Sequence, residues 1–206
     1  MNPYFFLILI ALLYILVVGG LSALRREGFT LQFALEVIVV AGLLMALSLL
    51  AGQPTHPALY LVVIYLVTMR VRLMVDLGNL LARRGNHRQA MNLYNLALKL
   101  KPDSLGQQIV MLNQAAHHIK QGHPAQASTM LEGLLADAQH TLSPKHKAAA
   151  RYNLGVAYRR QGNETKAIVE FNKAIDVMPG SLYASSAQIA LDKSKRPRTT
   201  DDRSED

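Results

Sequence analysis

The first 69 residues carry only four charged side chains, Arg25, Arg26, Glu27 and Glu36. That scarcity constrains the fold more than any other feature of the chain. Tyr4 to Leu24 is a near-continuous apolar run of 21 residues. As a helix it reaches roughly 30 Å, the thickness of a bilayer's hydrocarbon core. A cleaved signal peptide would need a basic start, a shorter apolar core and a small-residue cleavage site. Met1-Asn2-Pro3 has no basic side chain, so a retained span is the better reading.

Arg25-Arg26-Glu27-Gly28 reads as a short turn, and Thr30 as an N-cap for the second run, Leu31 to Gly52. Glu36 lies inside that run. A carboxylate within a span is costly and is a functional candidate by default. The plainer reading is an ion pair with Arg25 or Arg26 near the same surface. Gln53-Pro54-Thr55-His56-Pro57 breaks the chain before a third run, Ala58 to Met69. Twelve apolar residues are short for a span, but Arg70 and Arg72 at the far interface extend its reach.

These expectations amount to a transmembrane region over 1–70, with spans at about 4–24, 31–52 and 57–76. Basic residues follow the first and third runs but not the second. The positive-inside rule then sets the N-terminus outside and everything after residue 70 in the cytoplasm. Gly19-xxx-Ala23 and Gly42-xxx-Ala46 are small-xxx-small pairs that suit close helix packing or a self-association face.

Beyond the apolar part a pattern recurs at fixed offsets. With Ala148 as 1, Leu154, Gly155, Tyr158, Gly162, Ala167, Phe171, Ala174 and Pro179 stand at 7, 8, 11, 15, 20, 24, 27 and 32. With Val71 as 1, the same offsets give Leu77, Gly78, Leu81, Gly85, Ala90, Tyr94, Ala97 and Pro102. The spacing resembles that of the tetratricopeptide repeat, a helix–turn–helix unit of about 34 residues. A middle copy counted from Gln108 is weaker. Gly122, Ala127 and Leu131 match, but Gln114, Ala115 and His118 replace Leu, Gly and Tyr.

The expected fold is all-α: three membrane spans, then a short helical solenoid over 71–194. Its repeats fall at about 71–104, 108–141 and 148–181, with a capping helix over 181–193 and a disordered tail over 195–206. No Gly or Pro lies between Ala58 and Leu77, which predicts one continuous helix from about Ala58 to Arg84. Such a helix would join the third span rigidly to the first repeat. Ser143-Pro144 reads as an N-cap with proline at the first helical position.

No nucleophile elbow, phosphate loop or metalloprotease helix occurs, so the chain reads as a non-enzyme with no cofactor. No histidine pair has helical i, i+4 spacing with a carboxylate partner, and there are no cysteines, so no metal site is expected. The resemblance implies partner binding on the concave face lined by the first helix of each unit. There it nominates Asn79, Arg83, Asn113, Lys120, Asn153, Arg159 and Arg160. A basic, amide-lined groove suits an acidic or C-terminal carboxylate peptide. Equally, basic residues at helix ends complement the helix dipole wherever they occur.

The net charge of +8 also allows a lipid surface; nucleic acid is not expected. The resulting reading is a multi-pass protein, set in a bacterial inner membrane by family habit, that holds a partner protein at the cytoplasmic face. The alternative makes the spans the working part of a transporter or other membrane complex.

Overall fold

The computed structural model describes residues 3–24, 30–137 and 142–195. The expected 25–28 turn, the tail beyond 195 and most of the linker at 139–143 lie outside them. The described residues form ten α-helices: α1 Pro3–Leu24, α2 Leu31–Leu50, α3 Pro57–Thr68, α4 Arg70–Arg83, α5 His87–Lys99, α6 Ser104–Lys120, α7 Pro124–Ala136, α8 Pro144–Arg160, α9 Glu164–Val177 and α10 Leu182–Lys195. The chain divides into two compact units, Met1–Gln114 and Ala115–Asp206. The apolar helices and the first repeat thus belong to one unit.

In the first unit α1, α2 and α3 pack around Leu7, Ala11, Tyr14, Val37, Ala41, Tyr60 and Ile64. Small Ala11 and Ala41 let the helices approach, and Tyr60 and Ile64 fill the space between them. The outward faces stay apolar, with Leu12, Leu16, Leu43 and Leu47 exposed. An outer apolar surface of that extent suits lipid rather than water. Helices α1 and α2 are each long and apolar enough to cross a membrane.

Thr30 caps α2 by accepting from the Phe33 amide at 3.3 Å. Ser48, inside α2, donates to the Leu44 carbonyl at 2.8 Å and meets the hydroxyl of Thr55. Its polarity is therefore satisfied without leaving the apolar helix.

The expected continuous helix from Ala58 to Arg84 does not form. Helix α3 ends at Thr68, α4 starts at Arg70, and the two are bent by 70°. Side chains, not Gly or Pro, make this bend. The Thr68 hydroxyl donates to the Ile64 carbonyl at 2.7 Å, so its oxygen accepts from Tyr14 at 2.8 Å. Arg70 Nη1 donates to the Val67 carbonyl at 2.8 Å, serving an acceptor at the broken end of α3. The third apolar run is therefore a broken element, not a straight span over 57–76; α3 and α4 are long and apolar enough to cross a membrane only when taken together.

Helices α4 and α5 form the first repeat. Gly85 turns the chain between them at φ +83°, in the left-handed region where glycine pays no Cβ penalty. A Cβ on Gly78 would lie 2.6 Å from Cε1 of Tyr94, so the α4 backbone rests directly on the ring.

In the second unit α8 packs on α7 and α9, and α10 packs on α8 and α9. Ser143 caps α8 by accepting from the His146 amide at 3.3 Å. The third repeat repeats the chemistry of the first. Gly162 turns at φ +78°, and a Cβ on Gly155 would lie 2.6 Å from Cε1 of Phe171. Ala187 and Leu191 of α10 join Ala167, Phe171 and Ala174 in one buried cluster. Helix α10 thereby covers the apolar end that a repeat stack leaves open.

Candidate functional site

The nominated groove residues do different things in the two units. In the first, Asn79 Oδ1 accepts from the Tyr94 hydroxyl at 2.7 Å and Asn79 Nδ2 donates to Asn113 Oδ1 at 3.0 Å. Asn113 Nδ2 in turn donates to the Ile109 carbonyl at 2.7 Å. These two amides, nominated as ligand contacts, hold α4, α5 and the middle of α6 together. Nearby, Gln114 donates to Asn95 at 2.9 Å. Arg83 is exposed, with no hydrogen bond or ion pair to any described residue.

In the second unit Arg160 Nη1 donates to the Ile119 carbonyl at 2.6 Å, near the C-terminus of α6. The guanidinium therefore serves a helix end, where a cation is favoured. Lys120 is exposed, and Asn153 is half-buried without a hydrogen bond to a described residue.

Arg159 makes the densest set of contacts. It forms a two-pronged pair with Glu164 at 2.8 and 3.1 Å. It also donates to the Ala190 carbonyl and to Ser194 on α10, and lies over the Phe171 ring at 4.7 Å. Its role is to tie α8, α9 and α10. Arg159→Ala should cost about 1–2 kcal/mol, through lost charge-assisted bonds and cation–π contact. Faster proteolysis of α10 in the variant would check it.

The bonds from Arg159, then Ser194, hold the Glu164 carboxyl below its ordinary value of 4.5. A depressed carboxyl contributes stability above its unfolded pKa and loses it as pH falls through the folded value. The acid limb of an unfolding titration, below about pH 4.5, should therefore flatten in Arg159→Ala. The glutamate is partly exposed, which screens the effect. Across α7 and α8, Tyr158 donates to Glu132 at 2.5 Å, and that bond pushes its phenol up to about 12.

The other polar cluster sits where α2 meets the α3–α4 bend. Arg70 grips Glu36 with both terminal nitrogens, at 2.7 and 2.9 Å, and Gln32 donates to the same carboxylate at 3.2 Å. Thr30 donates to Asp103. A cavity of about 180 Å³ opens beside these groups, lined by Val18, Leu21, Phe33, Met69 and Ile109 among others. The sequence reading nominated Glu36 but not its partner. Arg70 lies 34 residues away and looked like an interfacial anchor.

Two family models describe this architecture, both for the tetratricopeptide repeat. One matches residues 71–104 and the other residues 107–179. The chain belongs to the tetratricopeptide-repeat family. No curated protein and no solved structure matches it. The second match spans the middle unit that the spacing made look degenerate. That tetratricopeptide unit carries Ala115 where the others have Gly78 and Gly155, and Leu131 where they have Tyr94 and Phe171. Both are buried. A methyl gained on one helix is matched by a smaller side chain on the other.

Proposed function

We propose that the chain is a membrane-anchored scaffold whose tetratricopeptide repeats hold a partner protein at the cytoplasmic face of a bacterial inner membrane. One observation carries the reading most. Helices with an apolar, lipid-suited exterior and a repeat of a protein-binding family lie in one compact unit, joined by Arg70–Glu36 and Thr30–Asp103. The anchor and the first repeat are then one part, as a scaffold requires. The side of the membrane follows from Arg70, Arg72, Arg83, Arg84 and Arg88 after the third apolar run.

The cations best suited to a partner are Arg83 and Lys120, since both are exposed while Arg159 and Arg160 serve the fold. An acidic segment is the matching partner chemistry. The test is photo-crosslinking in the native membrane from a reactive residue at position 83. A single dominant protein adduct, weakened at high salt as an acidic partner requires, is the expected result. Crosslinks only to lipid or to the chain itself would sink the reading.

The alternative, in which the spans do the work, rests on Glu36. The two-pronged hold of Arg70 on that carboxylate favours a structural role. Glu36→Gln should accordingly leave the crosslink intact if the protein remains folded.

A further inference from the structure

We infer that α4 is also an interfacial helix, and that its outer face lies on the bilayer surface. The inference rests on the membrane-anchored reading above. Helix α4 is apolar on two opposite sides. Val71, Val75 and Gly78 face the repeat core and are buried. Leu73, Leu77 and Leu80 form a second stripe, spaced i, i+4, i+7, and are 37%, 48% and 44% exposed. The third repeat shows what this face ordinarily does. At the same offsets it has Ala150, Leu154 and Ala157, which are 0%, 2% and 0% exposed, and α7 packs on that helix. In the first repeat the preceding helix, α3, bends away by 70° and leaves the stripe uncovered. Yet Leu73 and Leu80 are larger and more apolar than their buried counterparts Ala150 and Ala157, and the middle residue is leucine in both.

Three observations make the bilayer the occupant. First, the apolar surface is continuous: Leu66 and Val67, exposed at the end of α3, lead across the bend to Leu73. Second, Arg70 fixes which way the stripe faces. Arg70 reaches back to Glu36 on α2 and to the Val67 carbonyl on α3, so its side of α4 faces the apolar helices. Leu73 follows Arg70 by three residues, roughly 60° around the helix, so the stripe turns toward the same side. Third, Arg72 and Arg84 accompany the stripe, against one acid, Asp76. Apolar residues flanked by arginine suit a helix lying among phospholipid headgroups.

The chain has no cysteine, so single labels can be introduced cleanly. The full chain would be reconstituted in vesicles of phosphatidylcholine and phosphatidylglycerol. Environment-sensitive dyes would be attached to Leu77→Cys, Leu80→Cys, Leu16→Cys on α1 and Arg88→Cys on α5. Lipids carrying quenchers at shallow or deep positions would report depth. The inference expects shallow quenching at positions 77 and 80, deep quenching at 16, and little at 88. Deep quenching at 16 with water-exposed dyes at 77 and 80 overturns it and leaves the anchor standing. Dyes at 77 and 80 that are shielded but unquenched mean that protein covers the stripe, which also overturns it. No lipid quenching at 16 removes the anchor and this inference together.

Discussion

Replacing Gly155 by alanine should lower the stability of the third repeat by about 2 kcal/mol. The sign is not obvious, because the same change in an open helix interior would gain about 1 kcal/mol. Packing decides it. The new methyl would meet Cε1 and Cδ1 of Phe171 at 2.6 and 2.7 Å. That ring cannot swing aside. It is fully buried, touches Tyr152 with ring centroids 5.9 Å apart, and lies under Arg159. The middle repeat supplies the compensating change. Gly155→Ala combined with Phe171→Leu recreates the Ala115 and Leu131 arrangement and should recover much of the loss. Phe171→Leu by itself should cost about 1–2 kcal/mol through the space it opens. Denaturant unfolding of the full chain in detergent would measure all three, and simple addition of the two single losses would refute the pairing.

Breaking the Glu36–Arg70 pair should have an effect of similar size. Either Glu36→Leu or Arg70→Met leaves one charge without its partner and should cost about 2–3 kcal/mol. The side chains are 26% and 25% exposed, which keeps the figure below that of a fully buried pair. Arg70→Met carries an extra penalty, because the Val67 carbonyl at the bend loses its donor. Glu36→Leu with Arg70→Met should recover a large part of the Glu36→Leu loss, since two apolar side chains suit this site better than one stranded ion. Thermal unfolding in detergent would read the cycle. Additive losses would mean that the two groups do not act together.

Local patterns were legible in the sequence where one residue type had one physical job. Gly85, Gly122 and Gly162 all sit at positive φ after the first helix of their units, and Gly78 and Gly155 sit against the aromatic residues at offset 24. Thr30 and Ser143 cap the helices that their neighbours announce. Long-range polar pairing was not legible. Nothing around Arg70 marks it as the partner of Glu36, because both residues read sensibly as ordinary interfacial groups. The bend at Met69 escaped for the same reason. Its causes are side-chain bonds from Thr68 and Arg70, whereas sequence reading looks for Gly and Pro. Offset arithmetic placed Asn79 and Asn113 on the first helices of their repeats. It could not show that Tyr94, Asn79 and Asn113 would form a chain of their own.

The joint at the α3–α4 bend has a mechanical consequence. Arg70–Glu36 joins α4 to α2, Thr30–Asp103 joins the start of α2 to the segment leading into α6, and the chain itself runs from α3 into α4. One tether would leave a swivel, and two would leave an axle. Three attachments at different places remove both. A load pulling sideways on the first repeat therefore acts as a torque on the apolar helices, and a change in their tilt turns the repeat with them.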